Sequence, residues 1–216
     1  MRSTIVAALA LVATIVAIPF ARAADELEAV PGRILIIRTE KLAKFVAKPP
    51  TGMTFDLPDA TNDPTTEGGS LEFFDPDVYP SAYFELPSSG WKGLGNPAGE
   101  NGYKYRGSPF DPCPVVLVKE RILKAVCKGT GVTLPTPFPG EVTIVLTVGD
   151  GFNDRKLYCA VFGGDEVRND SALLKRKNAP AAPDCLSISE GTTTTSTVSA
   201  GPSTTSPTTT TSTTVP

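Results

Sequence analysis

The sequence predicts an all-β fold, either an antiparallel β-sandwich or an open barrel, with about nine short strands joined by disulfides. Three observations lead to this prediction. Short apolar runs are rich in Val, Ile, Thr and aromatic residues, which favour strands. Turn-forming residues separate these runs, and the 216-residue chain contains 21 Pro and 19 Gly. The four cysteines are an even number, which suits a disulfide-linked exported domain.

An export signal is predicted at the N-terminus, in residues 1–23. Arg2 supplies the positive start, residues 5–20 form an apolar run, and residues 21–23 (Ala-Arg-Ala) form a cleavage site before Ala24. The alternative is an uncleaved membrane anchor, which the cleavage site disfavours. We therefore expect a secreted, extracellular or envelope-associated protein with no transmembrane span in the mature chain.

The strands follow from local patterns of apolar and polar residues. Residues 142–148 give the clearest alternation, and residues 157–161 repeat it with Leu157, Cys159 and Val161 on one face. Two segments, 40–47 and 171–177, also fit short helical turns. Residues 48–67 are rich in Pro and Thr and are predicted to form a long surface loop. The predicted strands are residues 34–37, 41–47, 70–74, 82–86, 103–106, 115–119, 122–127, 141–148 and 156–162.

The patterns divide the chain into a signal peptide, one β-rich domain over residues 24–187, and a tail over residues 188–216. Residues 191–216 contain 13 Thr, 5 Ser and no charged side chain. Such a segment buries too little apolar surface to offset roughly 1–2 kcal/mol of ordering entropy per residue. The tail is therefore predicted to be disordered, either as an O-glycosylated stalk or as an unmodified flexible end.

The cysteine spacing favours one of the three possible disulfide pairings. A hairpin between residues 115–119 and 122–127 that turns near Glu120 brings Cys113 opposite Cys127, within bridging distance. This leaves Cys159 to pair with Cys185, which would hold the C-terminal segment against a central strand. A pairing of Cys127 with Cys159 across two sheets is the competing possibility.

Aromatic residues in the glycine-rich stretch 90–107 are candidate ligand-binding residues. Trp91, Tyr103 and Tyr105 could stack on sugar rings, and the two tyrosines share one face of an extended segment. The alternative is that Trp91 covers the core and the tyrosines belong to a strand. The stretch lacks the spacing of a dinucleotide- or phosphate-binding loop.

A set of motifs resembles a known group of domains. These motifs are residues 90–99 (GWKGLGNPAG), 102–105 (GYKY), 127–129 (CKG), 158–164 (YCAVFGG) and 177–180 (KNAP), followed by Cys185. Over residues 33–185 the chain resembles an uncharacterised secreted Cys-containing domain of environmental deltaproteobacteria. The resemblance implies bacterial export and a single domain, and it implies no activity, cofactor or site residue.

Composition limits the possible functions. The chain has no His, which excludes His-dependent triads and His-ligated metals, and we expect neither a metal nor a cofactor. Removal of residues 1–23 leaves 18 basic and 23 acidic side chains, and this acidic balance argues against a nucleic-acid partner. We expect a non-catalytic structural or interaction module whose ligand the sequence does not identify, with glycans and surface proteins as the candidate partners. The alternatives are a carbohydrate-binding module and, less favoured, a hydrolase that uses acidic residues.

Overall fold

The computed structural model describes residues 25–75, 78–149, 155–182 and 185. The predicted signal peptide and the tail at residues 188–216 lie outside these residues. The all-β class is confirmed, with thirteen strands, one α-helical turn and one 3-10 turn (Ser88–Gly90) in the described ranges. The elements are β1 (Glu26–Ala29), β2 (Gly32–Arg38), β3 (Leu42–Ala47), α1 (Pro64–Glu67), β4 (Gly69–Asp75), β5 (Val78–Leu86), β6 (Trp91–Gly93), β7 (Tyr103–Tyr105), β8 (Val115–Lys119), β9 (Ile122–Lys128), β10 (Val142–Val148), β11 (Lys156–Phe162), β12 (Asp165–Asp170) and β13 (Leu173–Ala179).

The strands form two sheets that pack as a sandwich. The five-stranded sheet has the order β1-β11-β10-β4-β5, and the eight-stranded sheet has the order β12-β13-β2-β3-β9-β8-β7-β6. All the pairings are antiparallel except that of β1 with β11, which is parallel. Only Val30 and Pro31 separate β1 from β2, so the chain passes from one sheet to the other within two residues.

Both segments for which a helical turn was also possible are strands. In β3 the buried side chains Ala43, Phe45 and Ala47 alternate with outward ones, and β13 likewise buries Leu174 and Arg176. A period of two is that of an extended strand, and β3 is held in this form by pairing with β2, its neighbour in sequence, and with β9, which is distant in sequence.

The core is formed by the inward side chains of both sheets. Phe45 of the eight-stranded sheet contacts Phe162 of the five-stranded sheet edge to face, with ring centroids 6.1 Å apart. Gly32 permits this packing, since a Cβ there would lie 2.2 Å from the Phe162 ring. As predicted from the alternation in residues 142–148, Val142, Ile144, Leu146 and Val148 all point into this core.

Both predicted disulfides are confirmed, and the competing pairing of Cys127 with Cys159 is excluded. Cys113 is bonded to Cys127, with Cα atoms 3.9 Å apart, beside the β8–β9 hairpin. The hairpin register pairs Val115 with Val126, so Cys113 lies one position away from direct opposition. Cys159 is bonded to Cys185 on the outward side of the five-stranded sheet, where both are buried in a small separate apolar cluster.

The described residues contain no helix with the length and apolar character needed to cross a membrane. The only α-helix among them is α1, one turn long, which Asp63 caps by accepting a hydrogen bond from the Thr65 backbone amide at 2.8 Å.

Candidate functional site

The three predicted site aromatics are buried, so the predicted aromatic binding surface is wrong. Trp91 is 6% exposed, and its indole nitrogen donates a hydrogen bond to the Leu86 carbonyl at 3.1 Å. Tyr103 and Tyr105 point into the same core. Burial, followed by the nearby Asp111 carboxylate, raises the pKa of Tyr105 to about 12, and its hydroxyl donates to Asp111 at 3.3 Å. No aromatic face of this set is available to stack on a sugar ring.

The physical reason is the alternation of side chains along β6 and β7. Trp91 and Tyr105 face inward and contact each other, with ring centroids 5.5 Å apart. The intervening positions face the other way, so Lys92 and Lys104 project from the outer surface of the sheet. The alternation that buries the aromatic side chains therefore places lysines on the outer surface of the same strands.

A lysine-rich surface covers the outward side of the eight-stranded sheet. On six of its strands, the positions that alternate with the buried core residues carry lysine. We call this surface the lysine face and define it by seven lysines: Lys44, Lys92, Lys104, Lys119, Lys124, Lys175 and Lys177. Arg38 and Lys128 also occupy outward positions, at the ends of β2 and β9.

Strands β2, β3, β6, β7, β8, β9 and β13 contain 11 Lys and Arg residues and no Asp or Glu. Within the part of the chain that the structure describes, none of the seven lysines of the lysine face forms an ion pair. The ion pairs there involve Arg155, Lys156, Arg168 and Arg176 instead. The positive charge of the lysine face is therefore not neutralised by its own chain.

Aliphatic side chains separate the lysines of the central strands, whereas Lys92 and Lys104 are direct cross-strand partners. In the strand register, Lys44 lies between Ile36 and Val126, and Lys124 lies between Val46 and Leu117. These aliphatic neighbours are mostly half-buried rather than covered by another layer. The alternation spaces the ammonium groups and lets each lysine stem pack on methyl groups while its charge reaches solvent.

The acidic residues of the sheet lie at its edge, on β12. Asp165, Glu166 and Asp170 belong to this strand, and charged side chains on an edge strand hinder pairing with other chains. Glu166 accepts a hydrogen bond from the buried Arg176 guanidinium at 3.1 Å, and Asp170 pairs with Arg168. Strand β12 thus gives the lysine face an acidic border along one edge, and Glu40 and Glu120 lie in the hairpin turns at the ends of its strands.

A second charged cluster, at the start of the five-stranded sheet, surrounds Lys156. This buried ammonium donates to Glu26 at 2.6 Å and lies 3.6 Å from Glu28 and 3.9 Å from Asp56. Burial raises the pKa of Glu28, and the positive charge of Lys156 partly opposes that rise. The Tyr158 hydroxyl donates to the Asp56 carbonyl at 2.5 Å, and burial, more than the nearby carboxylates, raises its pKa.

The Lys156 cluster ties the N-terminal strand β1 to β11 and to the loop before α1. Its carboxylates surround a cation supplied by the chain itself. The described residues contain no group of three His, Cys, Asp or Glu side chains placed to hold a metal ion. The arrangement therefore fits a structural ion cluster.

The loop between β7 and β8 presents one bare aromatic residue. Phe110 is 95% exposed, beside a groove of about 570 Å³ whose lining includes Pro109, Pro112 and Lys128. Asp111 orders this loop by accepting a hydrogen bond from the Ser108 backbone amide at 2.6 Å. The groove is shallow and contains no cluster of catalytic side chains.

Comparison of the chain with protein-family models, curated proteins and solved structures finds no match.

The net charge of the sequence does not reveal the lysine face, because it sums acidic and basic residues that lie on different parts of the fold. The acidic balance of the whole chain hides a basic surface, so the net charge does not support the argument against a phosphate-bearing partner. A local signal was present: strands such as residues 42–47, 103–105 and 122–128 alternate Lys with apolar residues and contain no acid.

Proposed function

We propose that this chain is a secreted or envelope-associated, non-catalytic interaction module that docks onto an anionic surface through its lysine face. The observation that carries the proposal is the array of seven lysines on strands β3, β6, β7, β8, β9 and β13, which contain no Asp or Glu. Among the described residues, none of these seven lysines forms an ion pair. Two disulfides support a location in an oxidising compartment, where such bonds persist.

The lysine face can attract an anion although the chain is acidic. Neighbouring strands are about 4.8 Å apart, and alternate residues along a strand are about 6.8 Å apart. Several ammonium groups therefore lie within one Debye length, about 8 Å at physiological salt, while the acidic residues of the other sheet are more distant and are screened. At contact distance, the local positive potential exceeds the effect of the net charge.

The chemistry of the lysine face suits docking rather than catalysis. Lysine is a mobile point charge that neutralises phosphate, sulfate or carboxylate groups without fixing their orientation. A hydrolase that uses acidic residues would need two free carboxylates facing each other. Among the described residues, Glu26, Glu28 and Asp56 converge, but Lys156 occupies the space between them.

Retention on a sulfonate cation exchanger at pH 7 tests the proposal. We expect the mature chain to bind at low salt despite its acidic composition, because only a clustered basic surface can hold it there. A variant with Lys44→Glu, Lys124→Glu and Lys175→Glu should pass through unretained.

The matched control changes three exposed basic residues that lie in turns or loops rather than at outward strand positions, Lys41→Glu, Arg121→Glu and Arg155→Glu. It alters the net charge by the same amount, and we expect it to be retained. Loss of retention in both variants to the same degree, or a mature chain that is not retained, would show that the lysine face does not act as a docking surface.

A further inference from the structure

We infer that the anionic surface recognised by the lysine face is a lipid bilayer with acidic headgroups; this inference rests on the proposed function and names its partner. The first observation is the composition of the outward positions. On β3, β6, β7, β8 and β9, these positions carry only lysine, leucine, isoleucine and valine. The outward positions of β2 and β13 between residues 34–38 and 173–177 add one arginine and the same residue types.

This composition disfavours sugars and nucleic acids as partners. Single-stranded nucleic acids bind on aromatic side chains that stack with bases, and recognition of polar ligands uses amide and hydroxyl groups that fix their orientation. The outward positions named above contain no aromatic, Ser, Thr, Asn or Gln residue. Amines over aliphatic carbon match the boundary between headgroups and acyl chains instead.

The second observation is the shape of the array. The lysines extend from β6 to β13, which are six strand spacings apart, or roughly 29 Å. They also occupy more than one row along the strands, because Lys44 and Lys124 lie on diagonally adjacent positions. A bilayer is an extended surface that can meet lysines of several rows, whereas a linear polymer follows one row. Because the sheet twists from strand to strand, the lysines of its central strands meet that surface together.

The half-buried aliphatic residues would add an apolar contribution to the binding free energy, beside the electrostatic contribution of the lysines. Ile36, Leu117 and Val126 lie beside the lysines in the strand register and are not covered by another layer. On a bilayer, their methyl groups can enter the interface while the lysine ammonium groups reach phosphate.

Co-sedimentation of the mature chain with lipid vesicles tests the inference. One vesicle type is phosphatidylcholine alone, and the other contains phosphatidylcholine with phosphatidylglycerol. We expect binding to the anionic vesicles only. The variant with Lys44→Glu, Lys124→Glu and Lys175→Glu should weaken it by about 100-fold or more, because each lysine near such a surface contributes about a factor of five.

A second variant, Ile36→Thr, Leu117→Thr and Val126→Thr, keeps every charge and retains strand-forming side chains. We expect about tenfold weaker binding to anionic vesicles and unchanged retention on the sulfonate resin, because only the apolar contact is lost. Near-ultraviolet circular dichroism confirms that each variant is folded.

The outcomes separate the two proposals. If the resin retains the mature chain but anionic vesicles bind it no better than neutral ones, the bilayer inference is wrong and the proposed function stands. If the threonine variant binds anionic vesicles as well as the parent, the aliphatic residues do not enter the bilayer interface and the inference is again wrong. If the resin does not retain the chain, both proposals are wrong.

Discussion

Replacing Lys156 by methionine tests how the N-terminal strand is held. Lys156→Met keeps the length and most of the volume of the side chain but removes the cation among three carboxylates. The lysine side chain is 1% exposed, whereas Glu26 and Asp56 are 60% and 77% exposed. These two carboxylates stay hydrated in the variant, so Glu28, at 19% exposed, is the one that loses its compensation.

The expected cost follows from this difference in exposure. An uncompensated buried charge costs about 3–5 kcal/mol, and Glu28 keeps a hydrogen bond from the Asp56 backbone amide at 3.2 Å. We therefore expect a loss of about 3 kcal/mol in unfolding free energy at pH 7, at the lower end of that range.

The loss should depend on pH in a defined direction. Burial already raises the pKa of Glu28 above its ordinary value of 4.5, and removal of Lys156 takes away the charge that lowers it. Since the folded pKa is raised, protonated Glu28 is tolerated at low pH, and stability falls as pH rises through the folded pKa. The difference between Lys156→Met and the parent should therefore be small at pH 4 and large at pH 7.

Urea unfolding followed by fluorescence at both pH values gives the free energies. The matched control is Lys156→Met combined with Glu28→Gln, which leaves no buried charge and should recover stability to within about 1 kcal/mol of the parent. A Lys156→Met variant that matches the parent at pH 7, or that loses the same free energy at pH 4, would refute this account of the cluster.

Two further predictions concern the C-terminal disulfide and the core. Removing the disulfide by Cys159→Ala with Cys185→Ala should lower the unfolding free energy by about 3.5 kcal/mol, because the bond closes a loop with a sequence separation of 26. Thermal and urea unfolding measure this loss, and a loss below 1 kcal/mol would contradict the loop-entropy estimate. The fluorescence of Trp91, the single tryptophan, should resist iodide quenching in the folded chain and become quenchable in urea, since its indole is buried against Tyr105. Strong quenching of the folded chain would place this ring at the surface.

The strand pattern and the bond between Cys113 and Cys127 could be predicted because they depend on local information, whereas the bond between Cys159 and Cys185 followed by elimination. The alternation in residues 142–148 and the symmetry of Cys113 and Cys127 about a tight turn are both visible within short segments. Sheet membership depends on contacts between distant segments. The sequence does not say that β3 lies beside β9, so it does not show that Lys44 and Lys124 share one surface.

The aromatic site illustrates a related limit. The alternation in residues 103–105 correctly placed Tyr103 and Tyr105 on one face, but alternation alone does not say which face points inward. The intervening Lys104 and the neighbouring Lys92 were the available indication, because an unpaired lysine seldom points into a core. The positions of Lys92 and Lys104 thus indicate both that the neighbouring aromatic side chains point inward and that the other side of the sheet is basic.

The bond between Cys159 and Cys185 has a practical consequence for orientation. Cys159 projects from the outward side of the five-stranded sheet, and the lysine face is the outward side of the other sheet. The thickness of the sandwich therefore lies between the lysine face and Cys185, from which the last 31 residues continue. A dye or an affinity handle attached shortly after Cys185 would therefore start on the side of the sandwich opposite the lysine face.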